Sequence, residues 1–229
     1  MLDLARLSEG RRIGLYCRDP RVYRRVLELL RERGVRVVVL DREPTLQEAE
    51  GRFDSVVSVG DVGEKEFLFG EFTTVLRTRL EDEVHFLADV LASIRGRYVS
   101  KAELGVDPGR RIGIALALDG ILVHGEIADD PKRLVEILGS LASYTPRLRR
   151  IRIKIGDSPN SSELSRPVIE KASQIRQVEV RVELVSEYEA ERRVLVPARA
   201  RGDLTSAVKI LLSKPRLTLY ANLGGDIPV

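Results

Sequence analysis

Apolar positions recur along this chain with two alternating rhythms. RIGLYC (12–17) is a short apolar run that ends at Asp19-Pro20, where proline suits the first turn of a helix. Val22, Val26, Leu29 and Leu30 then follow at helical spacing, and Gly34 marks a stop. VRVVVLD (35–41) reads as a second buried strand, SVVSVG (55–60) as a third and FTTVLR (72–77) as a fourth. Residues 81–96 predict a helix, with Val84, Phe86, Leu87, Val90, Leu91 and Ile94 on its apolar side. Strands alternating with helices imply a mainly parallel sheet, so residues 1–97 are expected to form a small Rossmann-like α/β domain.

Residues 98–229 carry a different order. AELGVD (102–107), IGIALAL (112–118) and ILVHGEI (121–127) predict three strands, the last two joined at Asp119-Gly120, the strongest hairpin signal in the chain. A helix is expected from Pro131 to about Leu141, a strand over RIRIKIG (150–156), a helix over 162–176, a strand over VEVRVELV (178–185) and a last helix over 203–213, stopped by Pro215. The expected order is β-β-β-α-β-α-β-α. Ile151, Ile153 and Ile155 alternate with Arg150, Arg152 and Lys154, and Val178, Val180, Val182 and Leu184 with Glu179, Arg181 and Glu183. One face of that part of the sheet is therefore wet or partner-covered, with cross-strand Arg–Glu pairing the simplest outcome.

Composition narrows the class. Hydrophobic residues make up 43% of the 229, enough for a core. The longest apolar runs fall far short of the ~20 residues a bilayer span needs, and MLDLARLSEGRR has no apolar h-region of a signal peptide. A single Cys17 excludes an intramolecular disulfide and a cysteine zinc site, which fits a cytoplasmic protein. Charged residues reach 32%, and 31 of the 38 basic ones are Arg, a thermophile-like balance. Residues 1–97 hold 17 basic and 18 acidic groups, residues 98–229 hold 21 and 17, so the basic excess lies in the second half. That excess favours a polyanionic partner.

The chemistry-bearing residues also lie there. Asp107 and Asp157 follow strands, Glu187 follows the strand at 178–185, and Asp203 opens a helix. Ligands on open α/β sheets gather at the C-terminal ends of strands. Carboxylates gathered there repel one another unless a cation joins them, and Mg²⁺ prefers such hard oxygen donors. Taken singly, Asp107-Pro-Gly is also ordinary turn chemistry, Asp203 an ordinary helix cap, and Glu187 one of a run of surface acids. Arg110 and Arg111 sit beside Asp107, and Arg192, Arg193, Arg199 and Arg201 near the other acids, suited to phosphate contact. His85 and His124 have no metal-spaced partner, Cys17 at a strand end reads as a small core residue, Asp61 beyond a strand is a weaker site candidate, and the first half shows neither G-x-G-x-x-G nor a P-loop.

ELGVDPGRRIGIALALDG resembles the opening of the RuvC-type and YqgF-type branch of the RNase H-like superfamily, in which strand one ends in an Asp followed by a Gly turn; Asp107, Gly109 and Gly113 match it. RVELVSEYEAER (181–192) is similar to the segment in which a Glu follows the last core strand, matched by Glu187. RGDLTSAVKILL (201–212) is similar to the final helix, matched by Asp203. The resemblance spans roughly residues 98–214. It implies an RNase H-like mixed sheet, a metal shell of Asp107, Glu187 and Asp203 holding Mg²⁺ or Mn²⁺ with Asp157 as a further catalytic acid, and hydrolysis of phosphodiester bonds in structured DNA or RNA, a homodimer being needed for symmetric cutting of two strands. Ser186 and Tyr188 stand where YqgF-type proteins flank the Glu with Asp and Arg, and Ser206 and Ala207 stand where resolvases carry a second acid. The alternative is therefore a non-catalytic nucleic-acid-binding or scaffold protein on the same fold. Actin-like phosphotransferases open with a similar acidic Gly-rich turn but need two such lobes.

Overall fold

In a computed structural model the chain forms two compact units, Met1–Val99 and Ser100–Val229. The structure describes residues 2–60, 65–144, 148–188, 190 and 202–222, without the side chains of 202 and 203. The fold is α/β with two mixed sheets, and among the described residues no helix is long and apolar enough to cross a membrane.

The first unit runs β1 (Leu2–Asp3), α1 (Leu4–Ser8), β2 (Ile13–Cys17), α2 (Pro20–Glu32), β3 (Val38–Val39), α3 (Leu46–Ala49), β4 (Ser55–Val59), β5 (Glu66–Phe69), β6 (Thr74–Thr78) and α4 (Glu83–Arg95). Its sheet has the order β3-β2-β4-β6-β5, parallel except for β5. Asp19 caps α2 through Arg21 N and Gly34 follows it at φ 72°, as the sequence predicts. Burial along α4 runs from Val84 to Ile94 and includes Asp89, which accepts from Thr78 Oγ1 (2.7 Å) and pairs with Lys65 Nζ (2.9 Å). A carboxylate stripped of water needs such partners.

One expectation for this unit changes, and one strand, β5, is additional to the expected set. The run at 35–41 is not a buried strand: only Val38–Val39 pairs, at the sheet edge, and those side chains are 52% and 50% exposed. A continuous apolar run carries no periodicity to distinguish an edge from a centre. The short β5 has no alternation of its own; Phe67 packs on Tyr98, ring centroids 4.6 Å apart, a contact set by residues far along the chain.

The second unit runs β7 (Lys101–Pro108), β8 (Ile112–Leu118), β9 (Ile121–Ala128), α5 (Lys132–Ser143), β10 (Arg150–Gly156), α6 (Ser161–Gln174), β11 (Glu179–Val185), α7 (Gly202–Leu212) and β12 (Leu217–Asn222). Strand order is β9-β8-β7-β10-β11-β12, with β7, β10 and β11 mutually parallel and the others antiparallel to their neighbours. The eight elements from β7 to α7 follow the expected order. Asp119 and Gly120 both take positive φ, 47° and 81°, as a two-residue hairpin turn requires. The sequence reading stopped at Pro215 and missed β12, although Leu217 and Leu219 alternate with Thr218 and Tyr220.

The two faces of this sheet are built differently. Ile151, Ile153, Ile155, Val180 and Val182 are buried on one. The other presents a register row Glu183–Lys154–Gly105–Ala115–Gly125 across five strands. Its small residues let α7 lie close, so Ala115, Ala117, Ala207, Val208 and Leu211 form one apolar cluster. Farther along the strands, Arg150 pairs with Glu179 (2.8 Å), and Arg152 lies between Glu103 (3.6 Å) and Glu183 (3.5 Å). Cross-strand pairing is thus what occupies the polar face. Lys154 and Glu183 are, however, 6% and 3% exposed rather than solvated, and Lys154 Nζ donates to the Leu211 carbonyl at the end of α7 (2.6 Å). Burial pushes the Lys154 ammonium below its ordinary pKa, with Glu103 opposing.

On β9, Glu126 accepts from Arg133 Nε (2.6 Å) and lies 2.9 Å from His124 Nε2. Burial raises its pKa, but those hydrogen bonds outweigh burial and hold the carboxyl at about 2, against an ordinary 4.5. A lowered acid stabilises the fold above its unfolded pKa and loses that contribution as pH falls, here from about 4.5 to about 2. Glu126→Gln is therefore expected to cost about 1–2 kcal/mol near neutral pH, after allowance for solvent screening, with the gap to wild type closing towards about pH 2 in urea unfolding.

Candidate functional site

Asp107 is the next-to-last residue of β7, paired with Gly113 on β8 and one residue past Val106, whose neighbour on β10 is Ile155. Continuing that register puts Gly156 beside Asp107, about one interstrand spacing (~4.8 Å) away. The missing side chain of Gly156 is what admits Glu187: a Cβ there would lie 2.6 Å from Glu187 Oε1 and 2.8 Å from Ile210 Cδ1. Glu187 reaches this point because the chain after β11 turns over α7, Ala190 N donating to Ser186 O (3.0 Å) and Val185, Ala190 and Ile210 packing together. Residues 80 positions apart thus line one cavity of about 140 Å³, with Ala190, Ser206, Lys209 and Ile210. Asn160 Nδ2, at the start of α6, donates to the Pro108 carbonyl (3.3 Å) and braces the turn behind Asp107.

Asp203 lies in the first turn of α7, with its side chain outside the described residues. Its backbone position is three residues before Ser206 and six before Lys209, the spacing of one helix face. Asp157 does not line the cavity. It leaves β10 with its backbone N–H on Val185 O (2.8 Å) and its carboxylate on Arg216 Nη1 (3.1 Å), just before β12. Arg110 is exposed in the β7–β8 turn, and neighbouring Arg111 pairs with Asp129 (3.1 Å), both largely solvated. Such a surface pair is worth ~1 kcal/mol or less and exchanges readily for a phosphate. Arg192, Arg193, Arg199 and Arg201 lie outside the described residues, as does Asp61.

Ser206 and Lys209 were missed by the sequence reading as contributors; their signal is the spacing 203, 206, 209 on an otherwise apolar helix. Among the described residues no three His, Cys, Asp or Glu side chains are grouped to hold a metal. The cavity itself offers two carboxylates and a hydroxyl, all hard oxygen donors suited to one ion of the Mg²⁺ type.

No family model matches the chain, and no curated protein matches it. Among solved structures the chain is similar to Argonaute from Aquifex aeolicus, with 13% identity and a TM-score of 0.23. The matched region covers 79% of this chain and 38% of that one. A likeness of that size fixes neither the fold nor the activity.

Proposed function

We propose that the second unit is a metal-dependent nuclease that hydrolyses phosphodiester bonds in structured nucleic acid. The observation that carries this reading is the meeting of Asp107 and Glu187 in one small cavity at the C-terminal end of a parallel pair, β7 and β10. Asp107 and Glu187, with Asp203 as third acid, would hold Mg²⁺ or Mn²⁺. When bound, such an ion polarises a phosphoryl oxygen and lowers the pKa of water. Asp107, fixed in the sheet, sets the position; Glu187, over Gly156, closes the opposite side. Arg110 and Arg111 bring positive charge three and four residues from Asp107, suited to the backbone rather than the bases. Hydrolysis adds water across one P–O bond, the hydroxyl going to phosphorus and the proton to the departing oxygen.

The test is cleavage of branched, duplex and single-stranded DNA and RNA by the full chain. Cleavage is expected with Mg²⁺ or Mn²⁺ and is expected to stop with EDTA. Binding that weakens with salt but never leads to cleavage, on any of these substrates, would replace this reading with the non-catalytic one.

A further inference from the structure

Lys209 is the feature of the cavity that the nuclease reading leaves without a role. It lines the same space as Asp107 and Glu187, and among the described residues its ammonium forms no ion pair. Lys154, by contrast, is spent on the Leu211 carbonyl, and Arg152 on Glu103 and Glu183. The charge of Lys209 is therefore available to something that enters.

The charge of the lining says what enters. A pair of divalent ions ~3.5–4 Å apart needs several anionic ligands around it. Here the helix face that follows Asp203 supplies a neutral hydroxyl at Ser206 and a cation at Lys209, so a second divalent ion would meet an ammonium instead of a carboxylate.

We infer that Lys209 is the phosphate-binding cation of this cavity, taking a non-bridging oxygen of the nucleic-acid backbone, and that the cavity holds a single divalent ion between Asp107 and Glu187. The inference rests on the nuclease reading and specifies its substrate contact and its metal count. Phosphate anchoring by a point charge is sequence-independent, so Lys209 sets affinity and not base preference.

The experiment uses the full chain in two binding assays: Mn²⁺ by calorimetry, and a labelled DNA hairpin by fluorescence anisotropy in EDTA. One Mn²⁺ per chain is expected, lost in Asp107→Asn and retained in Lys209→Gln. Lys209→Gln is expected to weaken the hairpin about tenfold and to lower the salt dependence by about one phosphate contact, with Lys209→Arg restoring most of both. Lys209→Gln combined with Ser206→Asp is expected to admit a second Mn²⁺. Two Mn²⁺ in the wild type, or a hairpin affinity that Lys209→Gln leaves unchanged, overturns the inference while the nuclease reading stands. Mn²⁺ binding that ignores Asp107→Asn sinks the nuclease reading instead.

Discussion

Asp107→Asn is expected to reduce metal-dependent cleavage by about 10³-fold or more while leaving the fold intact. The substitution keeps the shape of the side chain, removes its charge and replaces one acceptor oxygen by an NH2 donor. A metal contributes several kcal/mol to a phosphoryl-transfer transition state, and about 4 kcal/mol corresponds to 10³-fold in rate. Asp107→Asn is also expected to lose the stabilisation that Mn²⁺ gives the wild type. Glu187→Gln should reproduce both results. The double variant should be no slower than either single one, because the two acids act as a unit on one ion. Single-turnover cleavage and thermal unfolding with and without Mn²⁺ measure all of this. An Asp107→Asn protein that cleaves at the wild-type rate removes Asp107 from the reaction.

The α/β class was legible because the apolar runs are short, end at recognisable turn residues and alternate with helical spacing. Asp119-Gly120 is the clearest case: only a tight turn that tolerates positive φ at both positions joins β8 to β9 in two residues. Local pattern failed where neighbours decide. Val38 and Val39 look like core and lie at an edge; β12 looks like a tail after Pro215 and completes the sheet beside β11. That second error bears on the site, because Arg216, at the entrance to β12, occupies Asp157. Asp107 and Glu187 could be singled out by what precedes them in the chain. Their meeting over Gly156 could not, since it depends on a register that joins three separate strands. Lys209 escaped notice because a lysine on a helix is usually a solvated one; only the path of α7 across the sheet gives it a cavity.

That path depends on one glycine, and Gly105→Ala is expected to be the most damaging small substitution in the second unit. A Cβ on Gly105 would lie 2.2 Å from the Ala207 carbonyl oxygen and 2.6 Å from Leu211 N, both backbone atoms of α7, and 2.5 Å from Leu211 Cβ. No rotamer relieves contacts with backbone, so the helix must lift from the sheet by roughly an ångström or the strand must give way. Overpacking usually costs ~1–3 kcal/mol where side chains can adjust. Here the cost should reach at least about 3 kcal/mol, a fall of roughly 10 °C in unfolding temperature for a unit of this size. Gly125→Ala is the matched control. Its Cβ would meet only the Leu204 side chain, at 2.7 Å, which can rotate away, so a loss of ~1 kcal/mol or less is expected. The larger effect also reaches the chemistry. Lifting α7 moves Ser206, Lys209 and the position of Asp203 together, while Asp107 stays in β7. Any Gly105→Ala protein that remains folded should therefore bind Mn²⁺ more weakly, and Gly125→Ala should bind it as the wild type does. Equal unfolding temperatures for the two variants would mean that α7 does not rest on β7 at Gly105.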